Sequence, residues 1–179
     1  MRHALAVAAA LAVAACGTPE ERSDWEREHE ARLAAEPATV LPPYPGPERL
    51  LEFEVAAASA FRFFVDGASL SLGPDKVVRY VLVARSAAGA ETVTYEGMRC
   101  QSGEVRIYAV GRAGAWAGRP GPWRAIEPRS VQRWHNALYR EYFCPQREPV
   151  ASAGEAVEAL RRGGHPLAKD FSSDQPRAR

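Results

Sequence analysis

Val77-Val78-Arg79-Tyr80-Val81-Leu82-Val83-Ala84 is apolar at both alternating sets of positions, Val77, Val81 and Val83 on one side and Val78, Tyr80 and Leu82 on the other. A strand with one wet face alternates apolar and polar residues. A run that is apolar on both sides therefore belongs in the middle of a sheet. Gly73-Pro74-Asp75 before it and Ser86 to Ala90 after it are turn signals. Working outward, Leu51, Phe53 and Val55 alternate with Glu52 and Glu54, and Phe61, Phe63 and Val65 with Arg62 and Phe64. Asp66-Gly67 reads as a turn into a short strand, Ala68 to Leu72. Thr92 to Met98 sets Val93 and Tyr95 on one face and Thr92, Thr94 and Glu96 on the other; Glu104 to Val110 repeats the motif, and a short strand is expected around Trp123 to Ile126.

The period changes after Pro128. Ser130 is a good N-cap, and Val131, Trp134, Leu138 and Tyr142 fall at helical spacing. A second helix is expected from Ala153 to about Arg162, with Val157 and Leu160 inward and a stop at Gly163-Gly164. Strands followed by helices make an α+β fold: an antiparallel sheet of five to seven strands packed by one or two C-terminal helices. The expected organisation is a signal peptide at 1–15, a tether at 16–47, the domain at 48–164 and a flexible tail at 165–179.

The leader carries the address. Arg2 and His3 precede twelve apolar residues, Ala4 to Ala15, and Val13-Ala14-Ala15-Cys16 has the form of a bacterial lipobox. Twelve is short of the roughly 20 residues a membrane-spanning helix needs. Cleavage before Cys16 and acylation of its thiol would leave the mature chain lipid-anchored. Gly17, rather than an aspartate, points to the outer membrane, with the domain on its periplasmic face. The segment 17–47 holds seven acids and three arginines, with prolines at 19, 37, 42, 43, 45 and 47. Ser23 and Glu26 match a capping box for a short helix to about Ala35, and Leu41 to Pro47 should be extended. This is a tether, serving either as a spacer or as a leader with no role of its own.

With Cys16 taken by lipid, Cys100 and Cys144 remain, an even pair in an oxidising compartment, where a disulfide is expected. The other readings make one of them a nucleophile with His135, or both of them metal ligands with His135 and His165. Neither a Cys-x-x-Cys spacing nor a catalytic cysteine signature supports these. The glycines at 111, 114, 118 and 121 do not form a phosphate loop, and Gly-x-Ser-x-Gly and His-Glu-x-x-His are absent. No catalytic residue, metal site or cofactor is assigned. His135, with Tyr139 a turn away, is either a base in a cleft or a structural histidine beside an apolar stripe.

Net charge is +1 and falls to about zero without the leader, so no nucleic-acid partner is expected. Between Met98 and Arg147, however, nine arginines face three glutamates. If Arg106, Arg112 and Arg133 converge they would bind an anion, such as an acidic envelope polymer or protein; otherwise they are scattered over a solvated surface. Arg106 and Tyr108 should share one strand face.

Arg62-Phe63-Phe64-Val65-Asp66 with Ser69-Leu70-Ser71, then Val77-Val78-Arg79-Tyr80, Tyr95-Glu96-Gly97-Met98-Arg99-Cys100, His135-Asn136-Ala137-Leu138-Tyr139 and Tyr142-Phe143-Cys144 together resemble the CNP-one-like (cryptic neisserial protein) family of exported proteobacterial proteins. The resemblance spans about residues 40 to 162. It implies a small periplasmic lipoprotein domain and carries over no catalytic residues. A looser likeness of layout, through Trp123, Ile126, Pro128 and Ser130 between the two cysteines, is to surface-adhesin E type domains, and implies ligand binding. The expected role is a non-enzymatic interaction or envelope-associated module. The alternative is a small periplasmic ligand carrier or enzyme using a cleft near His135, Tyr139 and Tyr142.

Overall fold

The apolar run at 77–84 lies within strand β3 (Val77–Ser86), which is buried from Val77 to Val83. The structure is a computed structural model and describes residues 23–24, 39–55, 59–118, 120–127 and 133–171. Strands β1 (Leu50–Phe53), β2 (Phe61–Leu72), β3, β4 (Glu91–Arg99), β5 (Glu104–Arg112) and β6 (Ala115–Ala117) form an antiparallel meander in chain order. A two-residue strand, β7 (Arg124–Ala125), also pairs with β5. Helix α1 (Arg133–Ala137) runs on as a π-helical segment, Leu138–Phe143, and α2 spans Ala153–Arg161. The fold is α+β as expected, and all these elements lie in one unit, Glu36–Arg179. In the separate unit Met1–Ala35, Ser23 and helical Asp24 are described. The lipobox with Cys16, residues 25–35 and the Ser130 cap fall outside the described residues.

The helices pack on one face of the sheet. Phe53, Phe63, Val65, Val78, Tyr80, Leu82 and Met98 from the strands meet Leu138, Tyr142, Phe143, Ala156, Ala159 and Leu160. Ser152 caps α2 by accepting from the Glu155 amide. The helix buries mainly Ala156, Ala159 and Leu160, with Val157 partly buried beside them. It ends with Gly163 at φ 69°, a left-handed geometry that glycine adopts without strain. The opposite face is covered too, by a smaller cluster of Phe64, Val81, Val83, Val93, Tyr95, Tyr108 and Ala109 with Tyr44, Leu50 and Trp116 packed on it. That second layer is why β3 is apolar on both sides.

Several local expectations are corrected. Asp66-Gly67 is not a turn between two strands: β2 passes through it as one strand, with a break in register between Asp66 and Ser71. The buried Ser69 hydroxyl donates to the Asp66 carbonyl at 2.7 Å and accepts from the Val81 amide at 2.8 Å, replacing ladder bonds lost at the irregularity. Thr94 and Glu96 share the face of β4 opposite Val93 and Tyr95, and that face lies under the helices, 8% and 1% exposed. The α1 region widens to π geometry, the Cys144 amide bonding the Tyr139 carbonyl five residues back at 3.0 Å. The extra residue lets Tyr142 and Phe143 both turn inward.

Both margins of the domain reach further than the composition indicates. Trp116 Nε1 donates to the Pro42 carbonyl at 2.7 Å, and Tyr44 packs on Trp116 with ring centroids 5.3 Å apart, so the end of the proline-rich segment is docked on the sheet. Gly111 admits this, since a Cβ there would stand 2.5 Å from the Tyr44 hydroxyl. At the other end, His165 is buried and Pro166–Phe171 forms a 3-10 helix rather than a loose tail. Cys100 and Cys144 are disulfide-bonded, with Cα atoms 5.2 Å apart, stapling the end of β4 to the end of the π segment.

Candidate functional site

Alternation along β4 places Glu96 on the helix-covered face, opposite Ile107 of β5 and Tyr80 of β3. A carboxylate there is expensive unless every oxygen is bonded. Tyr80 donates to Glu96 Oε2 at 3.0 Å, Thr94 donates to Oε1 at 2.7 Å, and His135 Nε2 lies 2.8 Å from Oε2. His135 is 3% exposed and is delivered by the single turn of α1. Burial pushes the Glu96 carboxyl up, but the charge and hydrogen bond of His135 and the bonds from Thr94 and Tyr80 more than offset it, holding the group below the ordinary carboxylate range. Burial, followed by the Glu96 charge and its hydrogen bond, drives the Tyr80 phenol well above its ordinary value. With Glu96 ionised, Nε2 is the protonated nitrogen, and Nδ1 is the one Glu96 leaves for another partner.

His135 also lines a cavity of about 550 Å³, the size of small-molecule sites. Its other described walls are Val105 and Ile107 of β5, Gly121 and Pro122, and Arg124, Ala125, Ile126 and Glu127 in and after β7. The expected grouping of His135 with Tyr139 and Tyr142 is corrected, because neither tyrosine is among the cavity's described lining. Tyr139 donates to the Cys100 carbonyl at 2.9 Å and borders a separate recess of about 300 Å³. Tyr142 is 1% exposed, its hydroxyl accepting from the Glu54 amide at 3.2 Å. With both sulfurs in the disulfide, a Cys100 or Cys144 nucleophile and a Cys–His metal site are excluded.

Of the two readings of Arg106, Arg112 and Arg133, the structure does not bring the three side chains together. Arg106 sits opposite Gly97 in the β4–β5 register, on the sheet face away from the helices. Arg112 is exposed at the last position of β5, turned the other way by alternation from Gly111. Arg133 is exposed at the start of the described part of α1, which packs on the opposite face from Arg106. What Arg106 joins instead is an arginine–aromatic array. Its guanidinium lies 5.6 Å from the Tyr108 ring, sharing a face as expected, and 6.0 Å from Trp123. Arg99, from the end of β4, lies 4.0 Å over the same Trp123 ring. Arg106 Nε donates to the Gly121 carbonyl at 2.7 Å, tying the array to the loop that carries Trp123. Arg79 lies 5.6 Å from Tyr108 but is engaged by Asp75, whose carboxyl burial raises and the Arg79 bonds and charge pull down below its ordinary range.

Neither Arg99 nor Trp123 stands out as a pair in the sequence. The available signal was the strand register, which puts odd-numbered Arg79, Tyr95, Gly97 and Arg99 on one face. The profile of the CNP1-like family matches residues 29–161. No curated protein and no solved structure matches the chain.

Proposed function

The chain belongs to the CNP1-like family, and from that premise we propose that it is a lipoprotein of the outer membrane, anchored through Cys16, whose domain is a non-enzymatic binding module for an anionic envelope polymer or acidic protein in the periplasm. The observation that carries the binding reading is the stacking of Arg99 and Arg106 about Trp123 on the face the helices leave free. A ring beneath a guanidinium restricts its motion and holds its positive charge in place at this face, where it attracts phosphate or carboxylate groups. The local excess of arginine over acid between Met98 and Arg147 supplies the field that would draw such a partner. The Cys100–Cys144 bond supports export, since disulfides persist in oxidising compartments.

The test is crosslinking in living cells followed by recovery of bound envelope material. Arg99→Glu with Arg106→Glu is expected to lose the partner, while Arg112→Glu with Arg133→Glu, which lie elsewhere, retains it. Equal recovery by both double variants, each shown to be folded by circular dichroism, would remove the arginine–tryptophan array from the proposal.

A further inference from the structure

The cavity beside His135 is on the opposite side of the sheet from the arginine array, and its chemistry is different. One wall is aliphatic, Val105 and Ile107, and the loop after β7 adds Ile126. The polar group drawn into it from the core is the imidazole of His135, itself buried and fixed by Glu96 at 2.8 Å. Arg124 and Glu127 contribute exposed charged side chains to the lining. We propose that this cavity binds a small monocarboxylic acid with an apolar body, its carboxyl group bonded to Nδ1 of His135 and its hydrocarbon part laid against Val105, Ile107 and Ile126.

The pairing of donors with acceptors at His135 selects the ligand. Glu96 holds Nε2, so an occupant meets Nδ1, whose role depends on where the proton lies. An alcohol meets Nδ1 as a donor to the neutral ring alone. A carboxyl group satisfies both states, as an acid donating to the neutral imidazole or as a carboxylate accepting from the imidazolium. Meeting the neutral ring, the acid enters as a neutral species whether it keeps its proton or passes it to the imidazole, so no net charge is added beside the ionised Glu96. Thr94 and Tyr80 already satisfy the rest of the Glu96 carboxylate, so the network has no need to rearrange on binding. Arg124 on the wall would favour the carboxylate form where the site opens to water.

Titration calorimetry of the mature chain with octanoate, and with 1-octanol and octanamide as comparators, tests this. Octanoate is expected to bind at one site and more tightly than either comparator. Ile126→Trp fills the cavity without touching the Glu96 network and should abolish binding. His135→Gln should weaken octanoate by about tenfold or more, the worth of a charge-assisted hydrogen bond, and octanol by less. No octanoate binding by the wild type, undiminished binding by Ile126→Trp, or octanol binding as tightly as octanoate would each overturn the proposal. Should His135→Gln fail to fold, Ile126→Trp and the two comparators decide it.

Discussion

Glu96 is the residue on which the helix-covered face turns, because it is a nearly fully buried carboxylate whose partners come from three separate elements. Removing one donor leaves the carboxylate with one charge-stabilising hydrogen bond fewer in a medium where water does not readily replace it. Tyr80→Phe keeps the ring and deletes the hydroxyl, and is expected to cost about 1–3 kcal/mol at neutral pH by urea denaturation. The sign of the pH dependence follows from the lowered carboxyl. A group depressed in the folded state contributes fully above its unfolded value, and that contribution is lost as pH falls through the folded one. Tyr80→Phe removes one of the lowering bonds, so its acid unfolding midpoint should lie at higher pH than that of the wild type; an unchanged midpoint would show that Tyr80 does not hold the charge. On the other face Gly97 makes an analogous demand of space: a Cβ would stand 2.6 Å from the Tyr108 hydroxyl. Gly97→Ala should therefore destabilise by about 1–3 kcal/mol, read from the same denaturation curves, since Tyr108 is 2% exposed and has nowhere to move. In the sequence Glu96 looks like a solvent-facing residue, alternating with Val93 and Tyr95. Nothing local reveals that a histidine 39 positions later covers it.

At the scale of elements, the disulfide and the caps decide how firmly the helices are held to the sheet. Cys100 and Cys144 are 44 positions apart, and cross-linking a loop of that length removes denatured-state entropy worth ~4 kcal/mol on the chain-entropy model. Reduction, or Cys100→Ala with Cys144→Ala, should lower the urea midpoint accordingly, with α1 loosening before the β2–β3–β4 core by amide hydrogen exchange. Ser152→Ala, which strips the α2 cap, should cost about 1 kcal/mol without altering the spectrum of the sheet. Much of this layer was legible in the sequence: β3 from its two-sided apolar run, α2 from its glycine stop, and the cysteine pair from parity. The unbroken β2 was hidden because Asp-Gly ordinarily signals a turn, and only the tertiary contact of Ser69 with the Val81 amide carries the strand through. The π segment was hidden because a 3.6-residue stripe through Trp134, Leu138 and Tyr142 does not register one inserted residue. The arginine array and the His135 cavity depend on which strand face each side chain takes and on a loop returning to β5, information that register supplies and composition does not.

For the molecule as a whole, the leader and the domain answer to different physics, which makes them separable by experiment. The described sheet, both hydrophobic clusters and the disulfide are complete within residues 39–171, so folding draws nothing from the lipid proposed at Cys16. Anchoring through the proposed lipid would instead depend on acyl burial at ~0.8 kcal/mol per methylene, and stable attachment takes more than one chain. Cys16→Ala should accordingly change the address and leave the fold alone. Processed by an ordinary signal peptidase or left with its leader, the variant would carry no lipid. It should move from the outer-membrane fraction toward the soluble periplasmic one wherever the leader is cut, and mass spectrometry should find no diacylglyceryl adduct at its N-terminus. Its Cys100–Cys144 bond should still form, so the released domain should yield no free thiol before reduction and should unfold at the same urea concentration as the wild-type domain. Fractionation of Cys16→Ala with the outer membrane, as a fully processed and unlipidated chain, would mean that a protein contact rather than an acyl chain holds the domain there, and the face bearing Arg99 and Arg106 would be the first place to seek that contact.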